Sequence, residues 1–234
     1  MVGSLVLNEC IEDRGIDRIY VYGRKAVPVV DPVEEFGLEK RPRKGWEPRF
    51  QQFVSGNFEK FPKELRKRLR EVEVVYFCLG AYTGQHESEV FEQITVSYPL
   101  ALARALQQAG ATPTFVLLSG AGAKRSGHSM YEFARYKGRA ERELLKLFPE
   151  SFVAVRPGYI YPTYPREEPN KNYERMKRWY PALKAVFPKA SITSQELALV
   201  LQWVGMNKES HSLGNALENK ELLALIKKHH LRKE

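Results

Sequence analysis

Three uninterrupted apolar runs constrain this chain more than anything else in it: "EVVYFCLG" (73–80), "TFVLLSG" (114–120) and "FVAVRPG" (152–158). None alternates polar with apolar, and each closes on small or polar residues. A strand reads this way when both its faces are buried, as in a parallel sheet covered by helices. "RIYVYG" (18–23), rich in β-branched and aromatic residues, and the weaker "FQQFV" (50–54) add two more strands. Helical periodicity fills the intervals. Helices are expected over about 3–13, in "PKELRKRLREV", along the whole of "ESEVFEQITVSYPLALARALQQAG" up to Gly110, and in "SMYEFARYKGRAERELLKLF". Two more follow in "TSQELALVLQWVGM" and "NKELLALIKKHH", the first opened by Thr193 with Glu196 at capping-box spacing. Strands alternating with helices predict an α/β fold, a doubly wound and mostly parallel sheet with helices on both faces.

At 234 residues the chain suits one domain, 1–234, with a single substantial core. Hydrophobic residues at 43% and charged ones at 28% argue against disorder. No apolar run approaches the roughly 20 residues that span a bilayer, and no signal peptide is visible. Only Cys10 and Cys78 are present, without close spacing to each other or to a histidine, which argues against a disulfide framework or zinc site and suits a reducing cytoplasm. A net charge of +9 favours anionic partners. The bases are dispersed, though, and in "KELRKRLRE" acids interleave with them, so solvated faces account for most of the surplus and a nucleic-acid site is disfavoured.

Two stretches break the alternation. Residues 24–49 are rich in Pro, Arg and Glu, and residues 159–190 carry prolines and aromatics. A long excursion of the second kind shapes a substrate pocket or forms a partner-binding loop, and the residues leave both open. Trp179, Tyr180, Tyr164 and Tyr161 could stack on a ligand ring there, although core or interface packing explains them as well. His86 and His128 stand beside strand-end loops without a metal-ligand partner at sequence spacing, "GAGAK" (120–124) lacks the P-loop pattern, and Ser119 lacks the hydrolase elbow.

In a doubly wound sheet, ligands bind beyond the carboxyl ends of the strands. There the chain collects "YGRK" (22–25), "CLGAYTG" (78–84), "LLSGAGAK" (117–124) and "VRPGYIYP" (155–162). With "VGSLVLNEC" and "YKGRAERELL", these stretches follow the order and rough spacing of an atypical short-chain dehydrogenase/reductase. The chain resembles the NAD(P)H-binding branch that includes the Tat-interacting oxidoreductase-like proteins, over nearly its whole length. The resemblance implies a Rossmann-like fold and NADP as cofactor, with NAD as the alternative. Gly3 matches the last glycine of the family's glycine-rich turn, beside helix N–H groups that face the dinucleotide phosphates. Arg24 stands where NADP-preferring members carry arginine, and Gly80 and Ala81 would let backbone approach the nucleotide.

The family's chemistry uses serine, tyrosine and lysine on a carbonyl or hydroxyl substrate. Ser119 matches the serine and Lys137 the lysine, which also binds the cofactor ribose. The tyrosine position, four residues before the lysine, holds Phe133. Tyr136 lies about 100° and Tyr131 roughly 240° around the helix from Lys137. The expectation is an NADP-dependent oxidoreductase with an altered or lost proton donor. The alternatives are a non-catalytic dinucleotide-binding protein and a basic nucleic-acid-binding module. The family's first strand and two earlier glycines have no counterpart here, so roughly ten further residues upstream are expected to supply them. Without that strand, 18–23 and 73–80 must pair directly or leave backbone groups unpaired.

Overall fold

The computed structural model describes residues 2–27, 47–81, 87–163, 180, 189–207 and 214–231. In chain order they form α1 (Val2–Glu12), β1 (Ile19–Gly23), β2 (Phe50–Val54), α2 (Lys63–Arg68), β3 (Val74–Phe77) and α3 (Ser88–Glu92). Then come α4 (Tyr98–Gln108), β4 (Thr114–Leu118), α5 (Glu132–Leu147), β5 (Phe152–Arg156) and β6 (Tyr159–Tyr161). The last are β7 (Ser191–Thr193), α6 (Ser194–Met206), β8 (Ala216–Glu218) and α7 (Asn219–Lys228). Every described pairing is parallel: β3–β4–β5–β8 make a four-stranded sheet, while β1–β2 and β6–β7 make two-stranded ones.

The buried runs become the strands expected of them because successive side chains feed opposite faces. Val116, Val153 and Val155 enter one core with Leu5 and Val6 of α1, Leu201 of α6 and Leu222 of α7. Phe115, Leu117, Phe152 and Ala154 enter the other, against Leu65 of α2, Leu106 of α4 and Leu144 of α5. Each large apolar side chain fully removed from water contributes about 1.5–3 kcal/mol, so these two layers dominate the fold's stability. Helices on both faces of a parallel sheet make the arrangement doubly wound.

Local signals explain the boundaries. Glu196 N donates to Thr193 Oγ1 at 3.1 Å, and Thr193 N donates back to Glu196 Oε2 at 3.0 Å, the reciprocal box that opens α6. The long helix expected over 87–110 is instead α3 and α4 joined by a π-helical turn, Gln93–Ser97. Pro99, at the start of α4, has no N–H to bond residue 95 and its ring crowds that carbonyl, so the ladder slips there. Gly110, at φ +74°, ends the segment in the left-handed region.

The short strands β6, β7 and β8 were not expected from the sequence; three residues are too few for a periodic signal. The excursion 159–190 begins with β6, and β7 follows it directly at Ser191. Tyr180 is buried and stacks on Tyr161 with centroids 3.7 Å apart, so both rings have packing partners. Trp179 and Tyr164 lie outside the described residues, as does most of 24–49. On the charged face of α2, Lys67 pairs with Glu64 at 3.0 Å, and Arg68 with Glu71 at 3.4 Å.

β1 and β3 do not pair: among the described residues they lie in separate sheets, β1 beside β2 and β3 beside β4.

Candidate functional site

The carboxyl ends of β3 and β4 and the first half of α5 converge on one region. The first turn of α1 reaches it through Gly3: a Cβ there would sit 3.3 Å from Cys78 Cβ, just past β3. That is tighter than ordinary contact, so a side chain at this position would press Cys78 aside by a few tenths of an ångström. Burial pushes the Cys78 thiol up to about 12, against the opposing charge of Lys137, so it stays protonated at neutral pH and offers no nucleophile. Gly80 is exposed, with nothing among the described residues within 4 Å of the position a Cβ would take, and Ala81 follows half-buried. Arg24 follows β1 and is exposed.

Lys137 points inward from α5, and its Nζ donates to the Leu118 carbonyl, at the end of β4, at 3.0 Å. Burial lowers its pKa to about 8, while the charges of Glu141 and Cys78 act in the opposite sense. Phe133, one turn earlier on the same face, lays its ring over Gly120. A Cβ on Gly120 would lie 2.5 Å from the ring tip Cζ and 3.4 and 3.5 Å from the two flanking carbons. The tip therefore aims at the Gly120 backbone.

Ser119 continues the β4 ladder, its N–H donating to Val155 O at 2.8 Å. Its hydroxyl donates to Glu141 Oε1 at 2.5 Å. Glu141 is fully buried, one turn beyond Lys137, and a buried carboxylate requires charge partners. Arg125 Nε donates to Oε2 at 2.8 Å and Arg156 Nε to Oε1 at 2.9 Å; a second Arg156 nitrogen also bonds Oε2. The hydrogen bond to Glu141 holds the Arg156 proton still more tightly than usual, despite partial desolvation. Arg125 reaches on to the Asn215 carbonyl at 2.8 Å, and Arg156 to Glu218 at 2.7 Å.

Gly3, Ser119, Phe133 and Lys137 thus belong to one region, with Gly80 and Ala81 on its rim. Neither neighbouring tyrosine enters it. Tyr136 faces α3, its hydroxyl 3.0 Å from Ser88 Oγ and its ring against Phe91, and Tyr131 stands 77% exposed at the helix cap. His128 is exposed, His86 lies outside the described residues, and no group of His, Cys, Asp and Glu able to hold a metal occurs among the described residues. Sequence reasoning missed Glu141, Arg125 and Arg156. The four-residue step from Lys137 to Glu141, with an arginine ending the neighbouring strand, is the signal that could have exposed them.

No protein-family model and no curated protein matches the chain. Solved structures do. MoeE5, determined in complex with UDP-glucose and NAD, superposes at TM-score 0.59 with 14% identity, over 97% of this chain and 78% of its own. A UDP-glucose 4-epimerase of Thermotoga maritima superposes at 0.58 with 12% identity, over 100% of this chain and 81% of its own. A short-chain dehydrogenase/reductase of Saccharomyces cerevisiae superposes at 0.52 with 13% identity, over 88% and 86%. Among the described residues no helix is long and apolar enough to cross a membrane. The chain thus has the Rossmann-like α/β fold of the short-chain dehydrogenase/reductase and epimerase/dehydratase proteins.

Proposed function

We propose that this protein binds NADP(H) at the carboxyl ends of β1, β3 and β4 and has lost the proton donor that carbonyl reduction requires. One observation carries the second half: the place one turn before Lys137 is taken by the Phe133 ring, whose tip meets the Gly120 backbone. Phenyl carbon can neither give nor accept a proton, and the nearby hydroxyl of Ser119 is already donated to Glu141. Binding is supported by the exposure of Gly80, the close approach at Gly3 and the N-terminal turn of α1, whose first N–H groups lack intrahelical partners and suit phosphate. A bound nicotinamide would supply the reducing equivalents. Lys137, deprotonating near pH 8, can still present a donor to a ribose hydroxyl. Arg24 at the end of β1 would hold the extra phosphate that separates NADP from NAD. The named complexes with NAD and UDP-glucose among similar folds support a dinucleotide and a small hydroxyl or carbonyl partner. The rival reading, an oxidoreductase with a different acid, predicts turnover.

Fluorescence titration with NADPH, followed by assay on a panel of aldehydes, ketones and quinones, separates the two. Saturable binding without turnover is expected, and R24E should weaken NADPH more than NADH. Turnover by the unmodified chain would establish the rival, and no binding of either nucleotide would defeat both.

A further inference from the structure

Lys137 is buried, whereas every other lysine among the described residues is exposed. Its Nζ donates to a neutral group, the Leu118 carbonyl, at 3.0 Å. Glu141, the carboxylate one turn on along the same helix, has no room to take it as an ion-pair partner. A carboxylate offers about four acceptor positions. Ser119 Oγ, Arg125 Nε, Arg156 Nε and a second Arg156 nitrogen fill that complement. The two arginines also offset the negative charge of Glu141. The Cys78 thiol, past the end of β3, stays protonated and adds none. Lys137 is thus a desolvated amine without a bonded counter-ion. An ammonium in such a place gives up its proton readily, and its pKa falls to about 8. Lys146, farther along α5, is the contrasting case: it is exposed and pairs with Glu143 at 2.9 Å.

We propose that Lys137 is a nucleophilic amine that captures a small, uncharged aldehyde as an imine. Lysines that react with carbonyl groups are those held away from water or beside other cations, and Lys137 has both conditions, with Arg125 and Arg156 gathered on Glu141. In the reaction the Nζ lone pair bonds the carbonyl carbon, and the carbonyl π pair passes to oxygen. Both amine protons then leave with that oxygen as water, so one C=N bond replaces one C=O bond with no change of oxidation state. Phe133 can give no proton and the Ser119 proton is committed to Glu141, so solvent water carries these transfers. Phe133 and Gly120 beside the amine are neutral, which suits an uncharged partner. Their packing is close, with the ring tip 2.5 Å from the place of a Gly120 Cβ, so the single substituent of an aldehyde fits better than the two of a ketone. The inference concerns the chain without nucleotide and does not rest on NADP(H) binding.

Reductive trapping tests it. The folded chain is incubated at pH 8 with propanal and sodium cyanoborohydride, which reduces an imine to a stable secondary amine. Propylated lysines are then located by peptide mass spectrometry. At that pH about half of Lys137 is neutral, against well under ~1% of an exposed lysine with its ordinary pKa near 10.4. Even with the lower reactivity of a weaker base, Lys137 should label about tenfold or more faster than Lys146. Labelling of Lys137 at or below the rate of Lys146 overturns the proposal. In urea that unfolds the chain the two lysines should label alike. An advantage that survives unfolding also overturns it, because burial is then not its source. Acetone in place of propanal should show a smaller advantage for Lys137 over Lys146, and an equal or larger one would refute the aldehyde as the partner. No nucleotide is present, so a negative result leaves the NADPH titration untouched, and failure of that titration leaves the trapping result standing.

Discussion

At the scale of single residues, the site is defined by what its side chains are already bonded to. Phe133 aims its ring tip at Gly120, so a hydroxyl added there meets backbone instead of open space. F133Y is therefore expected to lower stability by about 1–3 kcal/mol, as overpacked cores do, with no gain in carbonyl turnover. Thermal melts and the reductase panel check both halves, and a gain in turnover without loss of stability would show that the ring swings clear. Lys137 makes a second prediction, with a definite sign. Its pKa falls from 10.5 to about 8 on folding because burial disfavours the ammonium. The unfolded chain thus holds more protons between those pH values, and stability rises with pH across that window. Replacing Lys137 by Met removes the dependence. The advantage of K137M in melting temperature over the parent should grow as pH falls from 10.5 to 8 and level off below, and an advantage that is flat over that window would contradict the burial.

At the scale of elements, much was legible because elements announce themselves by period and caps. The runs at 73–80, 114–120 and 152–158 became β3, β4 and β5, and Thr193 with Glu196 opened α6. β6, β7 and β8 were not legible, since their pairing is set by where the chain returns to the sheet. The π turn before α4 was written in Pro99 but masked by the apolar periodicity around it. For the site, spacing placed Lys137 and Phe133 on one face. It could not reveal the packing of loop 119–131 on α5, which depends on Gly138. A Cβ on Gly138 would lie 2.0 Å from the Lys124 carbonyl oxygen, and Lys124 N donates to Ala134 O at 2.8 Å. Backbone meets backbone here, with no flexible side chain to give way. G138A is expected to destabilise by about 1–3 kcal/mol or more, read as a lowered urea midpoint at unchanged slope. An unchanged midpoint would mean the loop is not seated on the helix.

At the scale of the whole molecule, the candidate site rests on a buried charge cluster that ties together parts far apart in sequence. Glu141 gathers Ser119 from the end of β4, Arg125 from the following loop and Arg156 from β5. The two arginines carry the linkage to Asn215 and Glu218 beside and within β8. Such a cluster is weak evidence for net stability, because desolvating the charges offsets much of their attraction. Removing one member is a different matter, since the remaining charges lose their buried partner and keep only the contacts to Asn215 and Glu218. E141Q keeps the shape and leaves Arg125 and Arg156 facing a neutral amide, which should cost about 3–5 kcal/mol. R156M in the same chain removes one of the stranded charges, so the double variant should be more stable than the sum of the two single losses predicts. Urea denaturation of the four chains gives that coupling directly. Strict additivity would mean that Glu141 and Arg156 do not act as a unit, and that Ser119 is not held by a network spanning the larger sheet.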